Sequence, residues 1–243
     1  MIERQLDIPT PHGATTTFIV HPERDGPHPV VFFFMDAPAI REELRDMARR
    51  LATSGYYVIL PNLYYRAGVM EIGPLGDPDV RIRMMELMNK LTIDMVMSDT
   101  EALLGFVDQD PAAASDRPMG AVGYCMSGQF AINAAGNFPD RFAAAASMYG
   151  TYLVTDRDNS PHRVARQAKG ELYFGCAETD HWAPMETVEA LTKSLAEDGI
   201  DAEVELYPGV EHGFAFPQRA AYNKAAAERH WERLNALYRR RLG

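Results

Sequence analysis

Residues 118–128 have the sequence PMGAVGYCMSG, in which a short apolar run leads into a turn that carries a cysteine. The apolar run is typical of a buried strand, and the alanine-rich segment 128–137 is typical of a helix. Gly123 and Ser127 lie two residues before and after Cys125. A sharp turn from strand to helix needs small residues there, because it holds its central residue in a strained backbone conformation. The sequence therefore predicts a strand, a tight turn and a helix, with the Cys125 side chain projecting from the turn.

A cysteine in this setting is suited to nucleophilic chemistry. The following helix presents backbone N–H groups and the positive end of its dipole, which favour a thiolate and a developing oxyanion. Taken alone, however, the pentapeptide is equally compatible with an inert, buried cysteine, which is the usual role of an intracellular thiol. The rest of the chain has to distinguish the two roles of Cys125.

The composition is that of an ordinary globular protein. The chain has 243 residues, of which 24% are charged and 47% are hydrophobic, and this length fits one large α/β domain over residues 1–243. The formal net charge of −10 argues against nucleic acid and anionic membrane as partners, since both attract clustered cations. The main basic run, 239–241, is expected to favour and solvate the end of the last helix.

Neither a targeting segment nor a metal site is indicated by the sequence. No charged region followed by an apolar stretch opens the chain, and no apolar run approaches the ~20 residues of a membrane span. The two cysteines, Cys125 and Cys176, match no paired zinc-ligand spacing and indicate no disulfide framework. We therefore expect a cytoplasmic protein, where an exposed thiol stays reduced, with no metal.

Strands and helices alternate along the chain. Strand-like segments are 15–20, 30–35, 56–60, 118–122, 141–148, 171–176 and 202–207. Helix-like segments are 39–54, 80–108 in two pieces, 128–137, 184–198 and 220–242. Segments 67–78 and 151–168 are expected to be irregular. This alternation predicts an α/β fold with a mostly parallel central sheet and helices on both faces.

Four of the predicted strand ends carry chemically capable side chains, and ligands on such sheets bind at the carboxyl ends of the strands. Asp36 follows the second strand, Cys125 follows the strand at 118–122, Asp180 follows the strand at 171–176, and His212 follows the last strand. The order nucleophile, acid, histidine is that of α/β-hydrolases.

The residue types fit together chemically. A thiol with a free pKa near ~8.5 is mostly protonated at neutral pH, so a histidine such as His212 is useful first as proton acceptor and later as proton donor. A carboxylate would hold its ring in the required tautomer. Asp180 is preferred to Glu178 because Pro184 follows it and opens the next helix. Helix capping by Asp180 and a backbone-satisfied loop position for His212 are the structural alternatives.

Together these residues resemble the dienelactone hydrolases, also called carboxymethylenebutenolidases. The likeness covers nearly the whole chain and is carried by the Asp36 region, 56–66, 123–125, 180–184 and 207–214. It implies a single-domain α/β-hydrolase fold without a large cap, a Cys-His-Asp triad, no cofactor, and hydrolysis of a small-molecule ester or lactone through a thioester. A monomer or homodimer is expected.

The resemblance also implies roles for neighbours of the triad. Ala37 N–H and Met126 N–H would form the oxyanion hole. Asp36 matches the position of an acid, usually glutamate, that interacts with the resting thiol in the family. Because aspartate is one methylene shorter, that proton hand-over is the part of the family mechanism least supported by this sequence.

Substrate recognition departs from the family pattern. Dienelactone-cleaving members hold the substrate carboxylate with two arginines. Arg81 or Arg83 could supply the first, although a solvated helix position explains Arg81 equally well. The second position is Phe216, which cannot pair with a carboxylate. The sequence therefore predicts neutral esters or lactones as better substrates than anionic dienelactone.

Tyr64 and Trp182 complete the candidate substrate-binding residues, with aromatic packing as the alternative for Tyr64. Cys176 lies in an apolar strand and is expected to be a packing residue. Two other functions stay open from the sequence. One is a promiscuous thiol hydrolase acting on phosphotriesters or thioesters; the other is a noncatalytic protein that uses Cys125 as a redox-sensing thiol.

Overall fold

A computed structural model of the protein describes residues 1–243, which form two compact units, Met1–Arg117 and Pro118–Gly243. We refer to them as the N-terminal unit and the C-terminal unit. The residues of the predicted triad all belong to the C-terminal unit. The N-terminal unit contains Asp36, Ala37 and two of the candidate substrate-binding residues, Tyr64 and Arg81.

The N-terminal unit contains four strands in the order β1-β2-β4-β3. Their bounds are Ile2–Thr10 for β1, Gly13–His21 for β2, Val30–Phe34 for β3 and Tyr57–Pro61 for β4. β1 and β2 form an antiparallel hairpin, β2 is also antiparallel to β4, and β3 is parallel to β4. Every residue of β3 and β4 is buried, which explains why both have continuous apolar sequences.

Three helices complete this unit: α1 (Glu42–Thr53), α2 (Pro78–Lys90) and α3 (Ile93–Val107). α1 buries Leu44, Met47 and Leu51 and begins with two glutamates that favour the positive end of its dipole. Thr92 separates α2 from α3, because its hydroxyl caps the new helix by accepting the N–H of Met95. The predicted division of this region into two helical pieces is confirmed.

The C-terminal unit is built on four parallel strands in the order β5-β6-β7-β8. Their bounds are Met119–Tyr124 for β5, Phe142–Met148 for β6, Glu171–Thr179 for β7 and Ala202–Glu211 for β8. Parallel strands end at one edge of a sheet, so the residues that follow β5, β7 and β8 are brought to the same side. Those residues include Cys125, Asp180 and His212.

Four helices connect and follow these strands: α4 (Gly128–Asn137), α5 (Pro161–Val164), α6 (Met185–Glu197) and α7 (Lys224–Leu242). Both α4 and α7 pack against β5 and β6. The Tyr238 hydroxyl on α7 donates to the backbone oxygen of Ala121 in β5, at 2.9 Å. In neither unit is a helix both long enough and apolar enough to cross a membrane.

Several predicted boundaries were wrong. β1 was not predicted at all, because most of its residues face solvent and it is defined mainly by its pairing with β2. α7 begins at Lys224 rather than at residue 220, since Asn223 caps it by accepting the N–H of Ala226. The segment 151–168, predicted to be irregular, contains α5.

β7 and β8 are longer than predicted. The prediction ended them at residues 176 and 207, but they continue to Thr179 and Glu211, which pair with each other after a register shift between Ala177 and Thr179. Local sequence does not show this extension, because the exposed ends of β7 and β8 are stabilised by pairing with each other rather than by burial of apolar side chains. The extension decides where the two following residues, Asp180 and His212, are placed.

One helical glycine, Gly136, tests the packing of the C-terminal unit. A Cβ on Gly136 in α4 would lie 2.4 Å from Cγ1 of Val164 in α5 and 2.5 Å from its backbone oxygen. We expect Gly136→Ala to lower the free energy of unfolding by about 1–3 kcal/mol. The matched control is Gly105→Ala in α3, where a Cβ would meet nothing within 4 Å. This control should raise stability by about 0.5–1 kcal/mol. Urea unfolding measures both, and a stabilised Gly136→Ala protein would contradict the close approach of α4 and α5.

Candidate active site

The turn after β5 has the strained geometry that its sequence predicts. Cys125 has a φ of 55°, in the left-handed region that costs a residue with a side chain about 1–2 kcal/mol. A Cβ on Gly123 would lie 1.9 Å from the backbone oxygen of Ser127, so only glycine fits there. The chain then turns through a short 3-10 segment, Cys125–Ser127, directly into α4. Cys125 itself is half-buried, and its thiol is not part of a disulfide.

An aspartate–histidine pair lies at the ends of β7 and β8. Nδ1 of His212 is 2.7 Å from Oδ2 of Asp180. The other oxygen of Asp180 accepts the backbone N–H groups of Trp182 and Ala183, at 2.8 and 3.2 Å. The backbone N–H of His212 donates to the Thr179 oxygen at 3.3 Å. The carboxylate is therefore fixed from both sides, and it orients the imidazole through Nδ1.

The alternative acid, Glu178, is not at the histidine. Its carboxylate is exposed and accepts the backbone N–H of Gly209 at 2.7 Å. The helix-capping alternative for Asp180 is not realised either, since α6 starts at Met185 after Pro184. Asp180 instead closes a short turn with Trp182 and Ala183 while it binds His212.

The charge of His212 depends on its two polar neighbours. Burial by itself would lower the pKa of His212, but the hydrogen bond to Asp180 and the neighbouring Cys125 thiol outweigh it and raise the pKa from 6.5 to about 10. Nε2 is buried and has no partner with hydrogen-bond geometry, yet the Cys125 sulfur is close enough to contribute to this rise. The imidazole therefore holds its proton at neutral pH, with Nε2 on the side of the thiol.

The loop that follows β6 contacts both Cys125 and His212, and the sequence analysis missed it. The N–H of Thr151 donates to the backbone oxygen of Cys125 at 3.0 Å. The ring of Tyr149 meets the His212 ring edge-on, with 5.0 Å between centroids. Tyr149 and Tyr152 both have positive φ, 37° and 58°. The rule that residues just past parallel strands form sites would have found this loop had it been applied to β6.

In the N-terminal unit, Asp36 is fully buried and ion-paired. Arg41 donates to both of its carboxylate oxygens, at 2.6 and 3.2 Å, and donates as well to Glu43. Next to Asp36, the backbone oxygen of Ala37 accepts the Tyr64 hydroxyl at 3.0 Å. The sequence analysis did not single out Arg41; its only sequence signal is its position five residues after the candidate acid Asp36.

The remaining candidates occupy diverse environments. Phe216 is buried and packs edge-on against Tyr124, with 5.3 Å between ring centroids. The exposed Arg81 donates to the backbone oxygen of Leu75 at 3.0 Å. Trp182 is partly exposed and lies against His181. Whether these residues or Tyr64 contact substrate stays a prediction.

Cys176, the other cysteine, lies buried in β7, and burial together with nearby Asp180 raises the pKa of its thiol to about 12. Such a thiol is protonated at neutral pH and unreactive, as expected of a packing residue. No group of three or more His, Cys, Asp or Glu side chains is arranged to hold a metal ion.

The chain belongs to the dienelactone hydrolase family, whose model matches residues 15–242. A relative from Synechocystis, named "Putative carboxymethylenebutenolidase", is 27% identical over 245 residues, which cover 98% of this chain and 96% of the relative. The crystal structure of a protein from Klebsiella pneumoniae described as a "Putative Dienelactone Hydrolase" superposes with a TM-score of 0.87 at 26% identity and covers 98% of both chains. The predicted fold class, an α/β-hydrolase fold without a large cap, is confirmed.

A second solved structure has the same fold at lower identity. It is a dienelactone hydrolase-like promiscuous phosphotriesterase from metagenomic libraries, with a TM-score of 0.80 and 18% identity, covering 100% of this chain and 99% of the other. At that identity the likeness concerns the fold alone. Family membership thus makes the protein a dienelactone hydrolase-like enzyme.

The charge state of His212 can be tested directly. Because the folded-state pKa lies above the value of ~6.5 in an unfolded chain, protonation of His212 stabilises the fold fully below pH ~6.5, and this contribution is lost as pH rises towards the folded pKa. NMR of the imidazole should give a titration midpoint near pH 10. In Asp180→Asn the midpoint should fall towards neutrality, since a neutral amide no longer offsets burial.

His162 serves as the internal control of that titration. It lies in the same unit, and its pKa is lowered mainly by burial. Asp180 is not among the groups that shift the pKa of His162. Its curve should be the same in both proteins. A wild-type His212 midpoint below pH ~7 would contradict the raised pKa, because an unperturbed imidazole titrates there.

Proposed function

We propose that the protein hydrolyses ester or lactone bonds with Cys125 as nucleophile, His212 as proton acceptor and donor, and Asp180 as the residue that orients His212. The observation that carries the proposal is the 2.7 Å hydrogen bond between Asp180 and His212, together with the effect of the Cys125 thiol on the same imidazole. A histidine that is oriented by a carboxylate and adjoins a thiol on a strained turn is the arrangement that nucleophilic catalysis requires.

In the acylation half, the sulfur of Cys125 attacks the substrate carbonyl as a thiolate, while the proton from the thiol is already held on the imidazolium of His212. A tetrahedral intermediate forms, with negative charge on the former carbonyl oxygen. When it collapses, the bond from the carbonyl carbon to the ester oxygen breaks and His212 donates its proton to the leaving alkoxide. The acyl group is then held on Cys125 as a thioester.

In the deacylation half, His212 takes a proton from water, and the resulting hydroxide attacks the thioester. The carbon–sulfur bond breaks, the acid leaves, and the thiolate and imidazolium are restored. Backbone donors would stabilise the oxyanion in both halves. By resemblance to the family the N–H of Met126 is one such donor, and each donor of this kind is often worth about 3 kcal/mol.

A redox-sensing role needs only an accessible thiol of low pKa. It gives no reason for a carboxylate to hold His212 next to the thiol. The Asp180–His212 pair therefore favours hydrolysis over sensing. Phosphotriesters belong in the substrate panel, because a protein of the same fold is named a promiscuous phosphotriesterase.

The cysteine assignment is tested by substitution of each thiol in turn. With p-nitrophenyl acetate we expect a burst of one nitrophenolate per chain, and Cys125→Ala should lower kcat/KM at least about 10³-fold because it removes the nucleophile. His212→Ala should lower it comparably. Cys176→Ala is the matched control, since that thiol is buried, and it should keep both burst and turnover. Turnover that survives alkylation of Cys125 would refute the mechanism.

Substrate charge is a separate prediction. Phe216 is buried and uncharged, and Arg81 is exposed and donates to its own loop, so neither residue supplies a preformed pair for a substrate carboxylate. We expect kcat/KM for neutral esters or lactones to exceed that for an anionic dienelactone. Arg81→Gln should leave both values within about twofold, since exposed ion pairs contribute little. A strong preference for the anion, lost in Arg81→Gln, would contradict the prediction.

A further inference from the structure

The N-terminal unit contains a cavity of about 300 Å³ between the turn that follows β4 and the junction of α2 with α3. Most of its lining is apolar and comes from Leu63, Tyr64, Leu87, Leu91 and Met95. Its volume is at the lower end of the range for small-molecule sites. A cavity of this size and lining suits a compact ligand with an apolar body.

The walls of this cavity are held in place by buried polar contacts. The Tyr64 hydroxyl donates to the backbone oxygen of Ala37 at 3.0 Å. Arg66 donates to both oxygens of the buried Asp99, at 2.7 and 2.8 Å, and the Tyr65 hydroxyl donates to the same carboxylate at 2.8 Å. A wall that is ordered without ligand reduces the entropy lost on binding.

The charge of the lining has one sign. Two cationic side chains line the cavity, those of Arg66 and Lys90, and no acidic side chain does. Asp99 neutralises Arg66. Lys90, the last residue of α2, is exposed and has no ion pair or hydrogen bond within the protein. The cavity therefore combines an apolar interior with one uncompensated ammonium group.

We propose that this cavity is a binding site for small monocarboxylates with an apolar body. The apolar body lies among Leu63, Leu87 and Met95, and the carboxylate pairs with the ammonium of Lys90. A single free ammonium matches a monoanion, whereas a phosphate group is normally held by several donors. All lining residues belong to the N-terminal unit, and none of them is Cys125, Asp180 or His212.

The ligand class has a chemical connection to the proposed function, because ester hydrolysis releases carboxylates. The proposed hydrolysis and the proposed carboxylate site can nevertheless be refuted independently. Binding is measured in the Cys125→Ala protein, which cannot form a thioester, so an absence of binding leaves the hydrolysis results intact. Likewise, a protein without esterase activity can still bind carboxylates.

The test compares phenylacetate with phenylacetamide, which has the same body without the charge. Methionine methyl groups of the full chain are labelled with ¹³C, and the Met95 signal is assigned as the one lost in Met95→Leu. We expect phenylacetate to shift the Met95 signal saturably and phenylacetamide to bind at least about threefold more weakly, as an exposed ion pair allows.

Two variants separate charge from shape. Lys90→Gln should weaken phenylacetate binding about threefold to fivefold and leave phenylacetamide unchanged, while Lys193→Gln, the same substitution on the exposed face of α6, should change neither. Ala67→Leu, which fills part of the cavity, should weaken both ligands. Absence of a Met95 shift, equal binding of acid and amide, or a Lys90→Gln protein that binds like the wild type would each overturn the proposal.

Discussion

The hydrogen bond between Asp180 and His212 is the interaction on which the chemistry proposed for the C-terminal unit depends. Burial of an imidazole disfavours its charged form, and the carboxylate reverses that preference. The bond forms because β7 and β8 continue side by side as far as Thr179 and Glu211. Two backbone N–H groups hold the other oxygen of the carboxylate. Asp180 and His212 are thus positioned by paired strands, so the geometry required by the proposed mechanism exists before substrate binds.

Cys125, the proposed nucleophile, is held by a different feature, a strained turn. Cys125 occupies a left-handed conformation, and such strain persists only where the surroundings fix it. Gly123 allows the chain to pass within contact of Ser127, and Thr151 binds the backbone oxygen of Cys125. The loop after β6 that supplies Thr151 also places the Tyr149 ring against His212. One short loop thereby connects the two residues that exchange a proton in the proposed mechanism.

The N-terminal unit shows how a buried acid is stabilised. Arg41 binds both Asp36 and Glu43, so a single guanidinium serves two buried carboxylates. Bidentate pairing fixes the Asp36 carboxylate in one orientation. Beside it, Tyr64 binds the Ala37 oxygen and also forms part of the wall of the apolar cavity. A hydrogen bond thus joins the residue that follows Asp36 to the cavity wall.

The amino-acid sequence alone determined the α/β class and the turn at Cys125, and it favoured Asp180 over Glu178 as the partner of His212. These features depend on local patterns: apolar runs, small residues around a cysteine, and the chain order of three side chains. The sequence analysis did not identify β1, the full lengths of β7 and β8, Arg41 as the partner of Asp36, or the loop at Tyr149 and Thr151. Each of these is defined by a partner far along the chain or by backbone groups that carry no residue signature. Only the tertiary structure decided them, because strand pairing, buried ion pairs and ring contacts join residues whose proximity no local pattern encodes.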